Sequence, residues 1–155
     1  MAETLGVIAD THGLLRPEAV QALRGCDRII HAGDVGTPDV LSGLRDVAPV
    51  MAVRGNVDRG EWASRLPLSR TVELGGRSIY LLHILDDLDL DPVAAGVSAV
   101  VFGHSHKPSS EERDGVLYLN PGSAGPRRFR LPVTVARMSV EGGRLVARII
   151  ALDLG

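Results

Sequence analysis

Val100-Val101-Phe102-Gly103-His104-Ser105-His106 couples an apolar run to a glycine and two histidines one residue apart. The apolar part predicts a buried strand, and buried strands of α/β proteins end at an edge where loops carry the chemistry. Two imidazoles are therefore presented together at one strand end. Neutral imidazole is a good metal ligand near pH 7, so such a turn can send both rings to one ion or to two neighbouring ions. Two loop histidines in a polar turn would give the same short pattern, and the rest of the chain has to decide.

The same event recurs along the sequence. Leu5 to Ala9 reads as a strand that ends at Asp10-Thr11-His12, and Arg28 to Ala32 as one that ends at Gly33-Asp34. Val47 to Val53, broken by Pro49, runs into Gly55-Asn56-Val57-Asp58; Arg77 to Leu82 ends at His83; Val116 to Leu119 leads to Asn120-Pro121-Gly122-Ser123. Successive apolar segments thus finish in ligand-type residues beside a glycine or short residue that allows a tight turn.

Helical signals lie between the first strands. Pro17 opens a short helix with Ala19, Val20 and Leu23 on its inner side, stopped by Gly25. Thr37 is the expected cap of a second, with Pro38 in its first turn and Val40, Leu41 and Leu44 sharing a face. Glu61 to Leu66 predicts a helical turn in which Trp62, the only tryptophan, packs rather than rims a cleft. Gly75-Gly76 and Gly142-Gly143 each join two strand-like runs as hairpins. Asp86, Asp87, Asp89 and Asp91 form an acidic, solvated loop, and Asp91-Pro92 predicts a further short helix. Helices come early and antiparallel strands late, so the pattern predicts two packed β-sheets with helices outside them.

At 155 residues the chain suits one domain, 1–155, with a substantial core. A lone cysteine, Cys26, excludes an internal disulfide framework and a cysteine-ligated zinc site. No apolar run approaches a membrane span and the first residues lack the basic character of an export signal, so a cytoplasmic location is expected. The net charge of −2 divides into −5 over residues 1–103 and +3 over residues 104–155. That asymmetry is too small for a polyanion-binding stripe, which argues against a nucleic-acid groove.

The ligand-type residues are Asp10, His12, Asp34, Asn56, His83, His104 and His106. His31 is set apart, because inside a strand run it reads as a hydrogen-bonded core histidine. Two divalent ions about 3.5–4 Å apart need a shared ligand with two oxygens, and Asp34 suits that position. Asp10, His12 and His106 can then complete one site and Asn56, His83 and His104 the other. Nitrogen and oxygen donors without thiolate suit two divalent transition-metal ions and do not choose among Mn, Ni, Co, Fe or Zn; Mn is the favoured expectation.

In this order the motifs closely resemble those of the calcineurin-like metallophosphoesterases, particularly a small prokaryotic phosphodiesterase branch that also resembles the eukaryotic retromer scaffold subunit. Asp10-Thr11-His12, Gly33-Asp34, Gly55-Asn56, His83 and Gly103-His104-Ser105-His106 carry the likeness, which covers nearly the whole chain. It implies a four-layer α/β sandwich of two mixed β-sheets flanked by helices, and the same metal ligands. It further implies a catalytic role for Asp34, Asn56 and His104 around a metal-held hydroxide, and a place near the cleft for Asn120.

Two departures from that pattern matter. Val57 follows Asn56 where many family phosphomonoesterases carry a histidine that protonates the leaving group, and Ile84 follows His83 where the small branch carries glycine. Arg127 and Arg128, beyond the Asn120 loop, are candidate phosphate contacts through their bidentate donor geometry. The expected activity is hydrolysis of a small phosphodiester, with phosphomonoester hydrolysis as the nearest chemical alternative. A catalytically silent metal-binding scaffold with a protein partner, or a homo-oligomer, is the alternative of another class.

Overall fold

Short apolar strands that are buried on both faces dictate this architecture. The computed structural model describes residues 3–155. Strand β1 (Leu5–Ile8) is buried at every position and β2 (Arg28–His31) at all but its first. They pair in parallel, Leu5 opposite Arg28, and β3 (Val50–Ala52) extends the set with Val50 opposite Ile29. Parallel neighbours need crossovers. These are α1 (Pro17–Leu23) and α2 (Pro38–Arg45), each with proline in its first turn. Thr37 does occupy the position before α2, but its hydroxyl makes no capping hydrogen bond, so the fixed φ of Pro38 is what remains to start the helix.

After a short α3 (Glu61–Ser64), the chain builds its second sheet. Strands β4 (Ser69–Leu74) and β5 (Arg77–Leu82) are antiparallel about Gly75-Gly76, whose positive φ angles match the favoured two-residue hairpin turn. Strands β6 (Val97–Val101), β7 (Ser109–Arg113) and β8 (Val116–Asn120) complete it in the order β4-β5-β6-β8-β7. The closing hairpin, β9 (Thr134–Glu141) and β10 (Arg144–Ala151), returns to the first sheet, giving the order β10-β9-β1-β2-β3. Both sheets are mixed, as the family resemblance implies, and each has five strands.

Alternation along β1 explains the layering. Leu5, Val7 and Ala9 face the second sheet and join Ile30, Ile79, Leu81, Val101 and Leu119 in the inter-sheet core. Ile8 points the other way, into a second cluster with Leu23, Leu41, Leu44 and Trp62 beneath α1 and α2. Truncating Ile30 or Leu81 to alanine should cost about 2–5 kcal/mol, because neither site can collapse between two sheets. The outer face of the second sheet is covered more thinly. A 3-10 turn at Leu85–Asp87, with Leu88 and Leu90, lies over Leu82, Val97 and Val100.

One local expectation needs correction. The helix expected from Asp91-Pro92 is only a run of turns, in which Asp91 Oδ1 accepts the Val93 N–H at 3.1 Å before the chain enters β6. Strand β7 is exposed at every position, so no apolar alternation marks it; pairing with β8 about Asp114-Gly115 makes it a strand. Asp86, Asp87, Asp89 and Asp91 are all exposed, as expected of a solvated acidic loop, and Asp87 and Asp89 also line a cavity. No helix among the described residues is long and apolar enough to cross a membrane.

Candidate metal centre

The parallel strands of both sheets end at one place. Beyond β1 come Asp10 and His12, beyond β2 Asp34, beyond β3 Asn56, beyond β5 His83, and beyond β6 His104 and His106. Carboxyl ends of parallel strands are where open α/β sheets form their ligand crevices, and here two such edges meet. The His104 N–H crosses from the second sheet to Asp10 Oδ2 at 3.0 Å.

Turning sharply off these strands strains the backbone. Asp10, His12, Asp34, His104 and His106 all have φ between 46° and 75°, the left-handed region. Each costs of order 1 kcal/mol or more, held by the surrounding hydrogen bonds, and only Asp114 and Phe129 share the conformation among the described non-glycine residues. Glycines make the close approaches possible. A Cβ on Gly33, itself at φ 99°, would stand 2.8 Å from His83 Nδ1. A Cβ on Gly55 would overlap the Asp34 backbone nitrogen and Oδ1.

Two triads result, Asp10-His12-His106 and Asp34-His83-His104, each with ligand atoms within 4.8 Å of one another. Asp10, Asp34, His83 and His106 form a buried floor, while His12 is half-buried and His104 and Asn56 are exposed at the rim. Asp34 Oδ2 faces both halves, 3.7 Å from His12 Nε2 and 3.1 Å from His83 Nε2. The latter contact is too poorly aligned to be a hydrogen bond. Asp10 Oδ1 lies 3.6 Å from His106 Nε2 and 3.8 Å from His83 Nε2, and His12 and His106 bring their Nε2 atoms within 3.4 Å.

These atoms fit divalent ions on their own showing. Asp10 Oδ1 and His83 Nε2 are buried without hydrogen-bond partners, which native interiors avoid unless something else satisfies them. Burial pushes the Asp10 carboxyl up to about 7 and the His106 ring down to about 4, where it is neutral and free to ligate. It lowers His12 as well. Burial would also raise Asp34, but the adjacent His83 ring and the Val57 N–H outweigh it and hold Asp34 below its ordinary value. His83 is raised in turn: its burial is overcome by the two carboxylates and by Nδ1, which donates to the Ala32 carbonyl at 2.8 Å and so turns Nε2 into the site.

Supporting residues hold the loops. His31 Nδ1 accepts the Gly33 N–H at 3.1 Å, which leaves Nε2–H to donate to Thr11 Oγ1 at 3.0 Å; Thr11 donates onward to the Val35 carbonyl. The ring is wholly buried and burial lowers it to about 3. It is the hydrogen-bonded core histidine expected. Asp58, which has no expected role, is also buried and accepts from three backbone N–H groups, those of Val35, Gly36 and Gly55. Its position two residues after Asn56 in a tight loop was the available signal.

The structure places the expected substrate residues differently from one another. Asn120 is wholly buried beneath the cleft, its amide donating to the Gly103 carbonyl and Ser105 Oγ and accepting from the Gly122 N–H. Arg127 and Arg128 are both exposed. Arg127 Nε donates to the Leu131 carbonyl at 3.4 Å, whereas the Arg128 charge is felt at Asp10, His12 and His106. On the opposite flank a cavity of about 500 Å³ opens beside Asn56 and His83.

Residues 4–143 match the model of the calcineurin-like phosphoesterase superfamily domain. A probable metallophosphoesterase of Methanothermobacter thermautotrophicus is 35% identical, over 94% of this chain and 91% of its own. Among solved structures, an archaeal phosphodiesterase superposes with a TM-score of 0.78 at 22% identity, covering 95% of this chain and 99% of that one. Vps29 from Chaetomium thermophilum does so with a TM-score of 0.78 at 20% identity, over 98% of this chain and all of its own.

Proposed function

This chain belongs to the calcineurin-like phosphoesterase superfamily, and from that premise we propose that it is a metal-dependent phosphodiesterase acting on a small substrate. The observation that carries the reading is the pair of triads sharing one carboxylate floor, with Asp34 Oδ2 turned towards histidines of both. Asp10, His12 and His106 would hold one ion and Asn56, His83 and His104 the other, with Asp34 between them. Bound there, two divalent ions, Mn favoured, lower the pKa of a water and offset charge on phosphoryl oxygens.

The chain's own residues do the rest. The Ala32 carbonyl fixes the His83 ring, His31 holds the turns at Gly33 and Thr11, and Asn120 positions the Gly103–Ser105 turn from which His104 reaches the rim. Arg128 supplies a cation on the His12 side, suited to a phosphoryl oxygen. Val57, 43% exposed beside Asn56, offers no proton to a departing oxygen. Esters with good leaving groups are therefore favoured. The archaeal phosphodiesterase of like fold supports the diester preference.

Likeness to Vps29 favours one second reading, a protein-binding scaffold on the same fold. Kinetics on matched aryl phosphodiester and monoester substrates across Mn, Ni, Co and Zn test the first. Higher kcat/KM for the diester is expected, and a higher value for the monoester with every metal would overturn the preference. No turnover of either by fully loaded protein would favour the scaffold.

A further inference from the structure

We infer that the cavity beside Asn56 and His83 receives the ester substituent that stays on phosphorus, and that it selects an uncharged, aromatic or apolar group. The inference rests on the phosphodiesterase reading and specifies its substrate class.

Position is the first ground. The cavity shares Asn56 and His83 with the candidate metal centre, so the two are continuous, and its volume of about 500 Å³ exceeds what a phosphate alone would fill. In an in-line displacement the leaving oxygen departs opposite the attacking water oxygen, which places the retained substituent to the side. The loop leading to Arg128 packs on the His12 side, with Gly125 against the backbone of Asp10 and Thr11. The cavity lies on the other.

Lining chemistry is the second ground. Leu68, Tyr80, Leu82 and Ile84 make its apolar wall. Leu68 is 64% exposed, a large apolar side chain left to water unless something covers it. Ile84 has φ −111° and ψ 117°, ordinary extended backbone, so a branched residue after His83 sits without strain and adds surface to the wall. The charged lining is Arg54 against Asp87 and Asp89, a formal balance of −1. A substituent bearing a second phosphate or a carboxylate is repelled there, whereas one with N–H or O–H donors finds carboxylate acceptors.

Methyl p-nitrophenyl phosphate and phenyl p-nitrophenyl phosphate test this, because hydrolysis of either joins a water oxygen to phosphorus and breaks the bond to the same nitrophenolate. Only the retained group differs. With metal-loaded protein the phenyl ester should be preferred at least about tenfold in kcat/KM, the scale on which apolar pockets discriminate. Leu68→Asp and Ile84→Gly should each bring the ratio close to one. A carboxylate on the retained ring should remove most of the preference, and Asp87→Asn with Asp89→Asn should restore part of it. A ratio near one in the parent protein, or one that neither Leu68→Asp nor Ile84→Gly changes, overturns the assignment. Calorimetric titration with diphenyl and dimethyl phosphate separates this from failure of the phosphodiesterase reading. Tighter binding of diphenyl phosphate, weakened by Leu68→Asp, upholds the pocket even if neither nitrophenyl ester turns over; equal binding of the two overturns it.

Discussion

Asp58 Oδ2 accepts the Gly55 N–H at 2.8 Å, and the same carboxylate takes the N–H groups of Val35 and Gly36 at 3.2 and 2.9 Å. One buried side chain thereby ties the loop after β2, which presents Asp34, to the loop after β3, which presents Asn56. Asp58→Ala would leave buried donors unsatisfied, at a cost of about 3 kcal/mol or more. Urea unfolding should show that loss, with weaker metal binding beside it. Asp58→Asn keeps an acceptor oxygen and should lose less; equal stability of parent and Asp58→Ala would contradict the tie.

His31 makes stability depend on pH. Its folded-state value is held near 3, against an ordinary 6.5, because burial and the accepted Gly33 N–H both require a neutral ring. Between those limits the unfolded chain binds a proton that the folded ring refuses, so acidification favours unfolding. In metal-free protein, the advantage of the parent over His31→Gln should be largest above pH 6.5. It should shrink by roughly 1.4 kcal/mol per pH unit towards about 3. Asp10, raised to about 7, acts with the opposite sign through part of this window, which is why the difference between the two proteins is the quantity to follow. A constant difference from pH 7 to 4 would speak against the neutral buried ring.

Gly55 has a steric role. Because a Cβ there meets Asp34 at its backbone and at Oδ1, Gly55→Ala should displace the Asp34 carboxylate. Metal affinity, followed calorimetrically, should fall by at least about tenfold while the fold persists by circular dichroism. Unchanged affinity would mean that Asp34 is not held as described.

The two arginines should separate kinetically. Arg128→Ala should raise KM for a phosphodiester several-fold, since its charge reaches the Asp10 side of the site. Arg127→Ala, whose guanidinium is spent on the Leu131 carbonyl, should stay within about twofold, the usual size of an exposed-charge effect. The reverse order would reassign the contact.

Much of this was legible in the chain because the candidate ligands stand where apolar strands stop. Val97–Val101 followed by Gly103, His104 and His106 gives both the strand and the turn, and Leu5–Ile8 followed by Asp10 does the same. What escaped had no apolar signature. Strand β7 is Ser-Ser-Glu-Glu-Arg, exposed throughout, and only its partner β8 makes it a strand. The role of Asp58 depends on two loops brought together by β2–β3 pairing, which local spacing does not encode. The lateral cavity likewise needs the loop at Asp87 and Asp89 folded against Tyr80 of β5.

Metal titration of the apo protein, read by elemental analysis and by hydrolysis of an aryl phosphodiester in the same samples, tests the central claim most directly. Bound metal and activity should rise together to about two ions per chain, as a shared-carboxylate pair requires. Asp34→Asn should lower both stoichiometry and rate. Saturation at one ion per chain, with Asp34→Asn indistinguishable from the parent in occupancy and rate, would contradict it.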